Sequence, residues 1–395
     1  MTSAPLQSIP REPEDDHGPS AVAARRALLE RAAGRELPHL AGLPVPPRTA
    51  RGKVENLAGF AQVPLGLAGP LALDTSAGAR EVYVPMATNE GAMVASYSRG
   101  MKVLRAGRTR ARVVARGLSQ HPVLLYDDAA SALEAAVVVR AERDELERLT
   151  ATLTTHGRLV DVRPEPIGRR LVLRLVFTTG DAIGINMAAH AAELVSRHVA
   201  ERTGARGRYV HGEDVEKRAN ARALVEGRGR STVCDVVVPR QVLREVLRVT
   251  PQDLVAIQRT YSFGFARLGT QNQLVQSANG LAAVFLACGL DVAYVTESAT
   301  GLLDLDVTAD GDLYASAWLP SLLVGTVGGG TGSGTAAECL DALGVRGDGG
   351  ADLLAEILAA TVLAGDLSLL ASFCTHEFVA AHERLGRNRP TPREG

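Results

Sequence analysis

An acidic residue, Glu90, lies in the segment VPMATNEGAMVASYSRGMKVL (residues 84–104), where it is the only carboxylate among mostly small and apolar residues. A carboxylate that is removed from water is unfavourable unless it is paired or protonated. Buried acids are therefore uncommon, and often functional. We expect Glu90 to be a buried carboxyl group with a chemical role.

Three other side chains are suited to chemistry, although each also has a simpler interpretation. Lys217 lies among acids in HGEDVEKRANAR, where a solvated loop charge is the alternative. Asp291 follows Gly289 at the end of an apolar helix, where an acid interacts unfavourably with the helix dipole. The alternative is an exposed turn residue. His382 lies in the last turn of the final predicted helix, where any cation is favourable. None of the three indicates catalysis by itself.

Two glycine-containing segments are candidates for binding a phosphate or a dinucleotide. TTGDAIGINMAAHAAELV (178–195) predicts a strand-to-helix turn, where unpaired backbone N–H groups suit an anion. It lacks the GxGxxG pattern, so a generic turn stays an alternative. GTVGGGTGSG (325–334) contains three successive glycines, which indicates close approach of the backbone to something else. A flexible linker is the alternative there.

Composition excludes several classes of function. The 395 residues are 46% hydrophobic with a formal net charge of −1, which predicts a large core and no nucleic-acid or anionic-membrane partner. The four cysteines (Cys234, Cys288, Cys339 and Cys374) are far apart, which predicts free thiols in a reducing compartment and no metal site. The first residues carry no apolar signal region, and no window reaches the length of about 18 uncharged apolar residues that a membrane span needs. We therefore expect a cytoplasmic protein.

The elements that would position these residues are both helical and extended. Helical spacing is present in residues 20–34, in 91–107 with many small residues, and in most of 351–386. Residues 169–180 predict a strand that leads through Gly180 into a helix over 182–203. Strands and helices are grouped rather than strictly alternating, which is typical of the α+β class.

Six segments, taken in their order along the chain, resemble the catalytic part of class I hydroxymethylglutaryl-coenzyme A (HMG-CoA) reductases. The resemblance extends over about residues 20 to 390. The segments are VENLAGFAQVPLGLAGPL (54–71), PMATNEGAMVAS (85–96), TTGDAIGINMAAH (178–190), VEGRGRSTVCDVVVP (225–239), LPSLLVGTVGGGTG (319–332) and LAGDLSLLAS (363–372).

The resemblance implies a particular architecture. A large domain around a long central helix would bind an acyl-CoA, and an inserted ferredoxin-like small domain would bind a nicotinamide cofactor. The chain would form a homodimer with shared active sites, possibly a tetramer. The implied division is a disordered tail (1–19), the first part of the large domain (20–106), the small domain (107–209), a "cis loop" (210–222), the rest of the large domain (223–389) and a C-terminal tail (390–395).

The resemblance also implies the reaction and its catalytic groups, which would be Glu90, Lys217, Asp291 and His382. Two hydride transfers would reduce the thioester through a hemithioacetal and an aldehyde to mevalonate and free CoA. Lys217 would stabilise the oxyanion, with Asp291 holding it. His382 would protonate the departing thiolate, and Glu90, kept protonated by burial, would protonate the aldehyde oxygen.

Binding residues are implied in the same way, with departures from the family pattern. Cofactor contacts would come from Asp181, Gly184, Asn186, Met187, Gly328, Gly329, Thr155 and His156, and substrate contacts from Arg218, Asn279 and Arg259. The family's Ser-Arg-Phe, which grips the 2′-phosphate of NADPH, aligns with Thr154-Thr155-His156, so NADPH is expected and NADH is possible. Two alternatives stay open: a reductase of the same fold acting on another acyl-CoA thioester, and a catalytically silent CoA-binding homologue. The intact catalytic set argues against the silent homologue.

Overall fold

The computed structural model describes residues 8–154 and 156–375, and it has the mixed helix and sheet content of the predicted α+β class. The helices are α1 (Pro19–Ala33), α2 (Pro38–Ala41), α3 (Met93–Ala106), α4 (Ala129–Ala141), α5 (Arg143–Ala151), α6 (Ile185–Thr203), α7 (Ala221–Val225), α8 (Arg240–Val242), α9 (Pro251–Leu268), α10 (Ser277–Ala287), α11 (Val295–Ser298), α12 (Gly334–Ala342) and α13 (Gly350–Cys374). The strands are β1 (Leu65–Thr75), β2 (Gly78–Ala87), β3 (Arg110–Gln120), β4 (Val123–Leu125), β5 (Arg158–Ile167), β6 (Arg170–Thr178), β7 (Gly207–Tyr209), β8 (Gly229–Val238), β9 (Leu302–Val307) and β10 (Leu313–Leu322).

One long strand, β3, joins two parts of the sheet. Residues Arg110 to Gly117 of β3 pair antiparallel with β8, which continues through β10 to β9. Its last residues, Leu118 to Gln120, pair instead with β6, opposite Phe177 to Leu175. The hairpin of β1 and β2 touches this sheet at Asp74, opposite Arg110. The strands on either side of β3 therefore form two groups that share one element.

The group around β6 has the strand order β7–β4–β6–β5. Helices α4 and α5 connect β4 to β5, and α6 connects β6 to β7. These helices pack against the strands of this group. The predicted strand at 169–180 and helix at 182–203 correspond to β6 and α6.

Helix α13 lies at the centre of the core. It packs against α3, α9 and α10 and against β3, β8 and β10. By length and composition it is apolar enough to cross a membrane, with a window of mean hydropathy 1.9, but 83% of that window is buried inside the protein. Burial of this kind is what a core helix needs. The many small residues of 91–107 allow α3 to pack closely against α13, because a Cβ at Gly100 of α3 would collide with the carbonyl of Ala364.

Two fully buried carboxyl groups on α13 tie it to other elements. Glu356 accepts hydrogen bonds from the backbone N–H and hydroxyl of Ser76 and from the N–H of Val113. Asp366 accepts from the N–H groups of Val275 (3.0 Å) and Gln276 (2.7 Å), which precede α10. Burial raises the pKa of Asp366 to about 7, although these two hydrogen bonds oppose the shift.

The raised pKa of Asp366 predicts a pH-dependent cost to stability. A carboxyl whose pKa is higher in the folded chain adds stability below its usual value of 3.8, and that stability is lost as the pH rises through about 7. The unfolding free energy of Asp366→Asn relative to wild type should be about 2–3 kcal/mol higher at pH 8 than at pH 5, because the aspartate ionises over this range and the amide does not. Denaturant unfolding of both proteins at equal concentration measures this. A difference that does not change with pH would contradict it.

Residues 8–19, part of the tail that was predicted to be disordered (1–19), make defined contacts in the structure. Within the described part, the Arg25 guanidinium of α1 donates to the carbonyls of Pro10 and Asp16. His17 Nε2 lies 2.7 Å from the carbonyl oxygen of Val54. A buried arginine needs acceptors, and residues 8–18 supply them. The polar, proline-rich composition predicted disorder. Composition does not reveal hydrogen-bond partners that are distant along the chain.

Candidate active site

The Lys217 and Asp291 side chains form an ion pair, with Nζ 2.8 Å from Oδ2. Lys217 belongs to the loop between β7 and α7, and Asp291 follows α10. Asp291 accepts from the N–H of Ala293 (3.0 Å), so it caps a short 3₁₀ turn, which is a favourable place for an acid. Partial burial raises the pKa of Asp291, but hydrogen bonds from Lys217 and Ala293 outweigh it and hold that pKa below its usual value. The structure thus brings together two of the four predicted catalytic residues.

The backbone of Lys217 has an uncommon conformation. Its φ is +57°, in the left-handed region that residues with a Cβ rarely adopt. Its N–H donates to a carboxylate oxygen of Glu297, and its Nζ lies 4.9 Å from the centre of the Tyr294 ring. The ammonium group is therefore oriented by a carboxylate, an aromatic face and a constrained backbone.

A buried ionic network supports the Lys217 loop, and the sequence analysis missed it. Arg228 Nη1 lies 3.1 and 3.0 Å from the two carboxylate oxygens of Glu297. Arg228 Nη2 lies 3.2 Å from Glu216, which also accepts from the Gln120 amide at 2.7 Å. Burial raises the pKa of Glu297, and the Arg228 charge partly opposes the shift. An acid among small and apolar residues, in DVAYVTESATG (291–301), was the available signal for Glu297.

Glu90 is exposed, so the expectation that it is buried is wrong. The apolar residues before it belong to β2, and α3 begins at Met93, so Glu90 lies in the turn between two elements. Its N–H donates to the hydroxyl of Thr88 (3.0 Å), and its carboxylate accepts from Asn279 Nδ2 at 2.7 Å. The small and apolar residue types around Glu90 predicted burial, but residue types alone do not reveal that Glu90 lies in a turn between two elements. Glu90 and the predicted substrate residue Asn279 do lie together.

The two pairs lie near opposite ends of α10. Asn279 is in the first turn of this helix, and Asp291 follows its last residue, Ala287. The helix rises about 12 Å from Asn279 to Ala287. The structure therefore brings Glu90 to Asn279 at the start of α10, and Lys217 to Asp291 beyond its end. His382 lies outside the described residues.

The two glycine segments, predicted separately, join in the structure. The carbonyl of Asp181 accepts from the N–H groups of Thr326 (2.8 Å) and Val327 (3.3 Å). The close backbone approach expected from the glycine run occurs at Gly330, whose backbone packs against that of Gly289.

The predicted cofactor residues of the second glycine segment border open space. Gly328 and Gly329 have φ values of 85° and 56°, and no atom lies within 4 Å of where a Cβ would be. A side chain at either position would be strained and would fill this space. The backbone there is thus accessible to a ligand.

The first glycine segment leads into α6. Gly184 precedes this helix with φ of 85°, and Asn186 and Met187 are in its first turn. The Asp181 carboxylate accepts from backbone N–H groups at the start of α13, those of Gly349 (3.0 Å) and Ala351 (2.9 Å). That carboxylate therefore caps the central helix, a structural role that the sequence analysis did not assign to it.

A cavity of about 310 Å³ lies between β3, the end of β6, the start of β8 and the start of α13. His156 and Asp181, both predicted to contact the cofactor, are among its lining residues. So are Arg116, Arg230 and Asp352, which form an ionic cluster: Asp352 lies 2.7 Å from each arginine Nε. Arg230 also donates to the carbonyls of residues 180 and 324. No cation from β3 or β8 was expected beside His156 from the sequence. Thr155 lies outside the described residues.

The remaining predicted substrate residues are exposed. Arg218 forms an ion pair with Asp214 at 2.8 Å, in the same loop as Lys217. Arg259 is exposed on α9, which packs against α13 and β9. The structure brings Arg218, but not Arg259, onto the loop that carries Lys217.

Comparisons with known proteins agree with one another. The family profile described as "Hydroxymethylglutaryl-coenzyme A reductase" matches residues 21–387. A protein named 3-hydroxy-3-methylglutaryl-coenzyme A reductase from Haloferax volcanii is 40% identical, over 93% of this chain and 93% of its own length. One of the same name from Halobacterium salinarum is 43% identical, over 85% of this chain and 84% of its own length.

Solved structures share the fold. A 3-hydroxy-3-methylglutaryl-coenzyme A reductase of Streptococcus pneumoniae superposes with a TM-score of 0.69 at 20% identity, covering 89% of this chain and 96% of its own. A class II enzyme from the same organism, bound to NADPH in open conformations, has a TM-score of 0.67 at 21% identity, covering 82% of this chain and 79% of its own.

Proposed function

The chain belongs to the hydroxymethylglutaryl-coenzyme A reductase family, and on this premise we propose catalytic and binding roles for its site residues. Its function is the reduction of 3-hydroxy-3-methylglutaryl-CoA to mevalonate and free CoA. The observation that carries the proposed mechanism is the Lys217–Asp291 ion pair at 2.8 Å. Steady-state oxidation of NADPH or NADH in the presence of the HMG-CoA thioester tests the activity directly. A protein that binds this thioester without oxidising either cofactor would contradict it.

Lys217 is the proposed electrophile of both reductions. A hydride that reaches a thioester or aldehyde carbonyl leaves negative charge on oxygen, and an ammonium donor at that oxygen stabilises the charge. Asp291 orients the ammonium group through the 2.8 Å ion pair, and the Tyr294 ring covers one side of it. The two contacts orient the donor before the charge forms, which is how preorganised electrostatics lowers a barrier.

Glu90 and His382 are the proposed proton donors. Glu90 protonates the aldehyde oxygen, and the 2.7 Å hydrogen bond from Asn279 supports an oriented carboxyl group in this role. His382 protonates the departing CoA thiolate; this assignment rests on the family resemblance, because His382 lies outside the described residues. Arg218 and Arg259 are the proposed cations for the carboxylate of the acyl group.

A homodimer with shared sites is the proposed assembly. The Glu90–Asn279 pair lies at the first turn of α10. The Lys217–Asp291 pair lies beyond its last residue, Ala287, which is about 12 Å from Asn279 along the helix axis. All of these groups would meet at one carbonyl if the Glu90–Asn279 pair of one copy faces the Lys217–Asp291 pair of a second copy. The exposed position of Glu90 supports this, because a partner subunit would supply the missing burial.

The residues at the joined glycine segments fit a nicotinamide cofactor. When bound, NADPH supplies the hydride for each reduction. Gly328 and Gly329 offer backbone that borders open space, and the start of α6 offers the N–H groups of Asn186 and Met187 to an anionic group. Asp181 links these two segments through its carbonyl. The NADPH in the structure of a related fold also favours this cofactor.

Residues 107–209 are proposed as the cofactor-binding small domain. These strands lie in the spatial order β7–β4–β6–β5. Along the chain, helices follow β4 and β6, the first and third of the four strands, which is the pattern of a ferredoxin-like unit. His156, Gly184 and Met187 all belong to this segment.

Selectivity for NADPH over NADH is expected to be below about a hundredfold in kcat/KM, because Thr155 occupies the family's arginine position and a charged hydrogen bond contributes about 1.5–3 kcal/mol. Arg169 and Arg170 do not compensate, since they lie at the opposite end of the β5–β6 hairpin, about 30 Å from His156. Thr155→Arg should raise the selectivity at least about tenfold.

Arg169→Ala is the matched control for that variant. It removes a cation from the far end of the same hairpin and should leave the cofactor preference unchanged. Steady-state kcat/KM for both cofactors measures all three proteins. A wild-type preference above about a thousandfold would mean that another cation, such as Arg116 beside His156, holds the 2′-phosphate.

A further inference from the structure

We propose that Glu297, held by Arg228, is the positioning residue that sets the backbone of Lys217 so that its ammonium group meets Asp291. The inference rests on the proposed catalytic role of Lys217. It assigns to two buried residues a task that neither performs by touching the substrate.

The contact that carries this inference is between a buried acid and an exposed loop. Glu297 is 0% exposed, and its carboxylate accepts the backbone N–H of Lys217. Arg228, which is 3% exposed, donates from Nη1 to both oxygens of the same carboxylate. Its Nε also donates to the carbonyl of Ser119 on β3. A carboxylate fixed by a buried guanidinium is a rigid acceptor. The Lys217 amide is thereby tied to the sheet.

The conformation of Lys217 explains why such a tie is needed. With φ at +57°, the residue occupies a region that L residues with a Cβ disfavour. A loop without other constraints would leave this conformation. Its hydrogen bond to Glu297 holds it there and directs the side chain to Asp291.

The neighbouring residue is anchored by the same guanidinium. Glu216 accepts from Arg228 Nη2 at 3.2 Å, and it also accepts from the hydroxyl of Tyr294 at 3.3 Å. The ring of that tyrosine lies beneath the Lys217 ammonium. Two consecutive loop residues and the aromatic surface under the lysine therefore depend on one arginine–glutamate pair.

Glu297→Gln tests the inference, because the amide keeps the shape but removes the charge that fixes Arg228. We expect kcat to fall roughly ten- to a hundredfold, while KM for the nicotinamide cofactor changes less than about threefold. Amide hydrogen exchange of residues 213–220, followed by mass spectrometry, should become at least roughly tenfold faster.

Glu356→Gln is the matched control. Glu356 is also 0% exposed and also accepts backbone N–H groups, but these belong to Ser76 and Val113, which lie outside the Lys217 loop. We expect exchange of residues 213–220 and kcat to stay at wild-type values in this variant. Equal losses in both variants would mean that Glu297 acts only on general stability, which would overturn the inference.

Hydrogen exchange also separates this inference from the proposed function. In the wild-type protein the Lys217 amide should exchange at least roughly tenfold slower than an unstructured amide, whether or not the enzyme turns over. An unprotected Lys217 amide in an active wild-type enzyme would overturn the positioning role and leave the reductase assignment intact. A protected amide in a protein without reductase activity would do the reverse. This measurement needs no variant, so it decides the matter even if Glu297→Gln fails to fold.

Discussion

Lys217→Ala should lower kcat at least about a hundredfold for the thioester and for added mevaldehyde alike. Both hydride steps leave charge on an oxygen, and the loss of the ammonium donor proposed to stabilise that charge costs about 3 kcal/mol or more. Binding of the acyl-CoA should fall only modestly, because the remainder of the CoA does not depend on this ammonium. Steady-state kinetics with each substrate, and equilibrium binding of the acyl-CoA, measure the two effects.

Arg218→Ala is the comparison that makes the Lys217 result specific. It removes a cation one residue further along the loop, which pairs with Asp214 rather than with Asp291. Its proposed role is in substrate binding, so we expect KM for the acyl-CoA to rise while kcat stays within about threefold. A Lys217→Ala protein that retained more than about a tenth of wild-type turnover would contradict the catalytic assignment.

Mixing two inactive variants should restore about a quarter of wild-type activity, provided that they lie on opposite halves of the shared site. Glu90→Gln and Asp291→Ala are such a pair, because Glu90 and Asp291 lie near opposite ends of α10. Random pairing of two chains gives roughly half heterodimers, and each heterodimer has one intact site of two. Co-expression of the two variants, followed by assay of the unfractionated dimers, measures this recovery. The heterodimer, purified through two different tags, should have about half of wild-type activity.

The structure also supplies a combination that should not complement. Lys217 and Asp291 pair within one chain, at 2.8 Å, so Lys217→Ala mixed with Asp291→Ala leaves every site with a defective half. We expect no activity from that mixture. Recovery in both mixtures, or in neither, would contradict the shared architecture, as would a monomer in analytical ultracentrifugation.

Several site residues were accessible from the sequence because their signals are local. The order of the six segments identified the family, and the family profile and relatives confirm it. Within that frame, counting along the chain was enough to single out Lys217 and Asp291, which the structure brings into contact. The turn at Gly184 and the strand before it were also predictable, since glycine and hydrophobic periodicity act over a few residues.

Residues whose roles depend on distant partners were harder to predict. Glu90 and Glu297 share one local signal, an acid among small or apolar residues, yet Glu90 is exposed and Glu297 is fully buried. The difference is set by what packs around them: a turn between β2 and α3 for Glu90, and the Arg228 guanidinium for Glu297. The Asp181 carboxylate caps α13 for the same reason, since its partners are far away along the chain.

The sequence by itself determined the family, the reaction and the identities of the residues proposed to perform it, because these depend on residue types in a fixed order. Only the tertiary structure decided which of them meet. It brought Glu90 to Asn279 and Lys217 to Asp291, and it placed a buried Arg228–Glu297 pair against the backbone of the lysine. Burial and pairing are set by packing between elements far apart in the chain, and residue spacing carries no direct record of that packing.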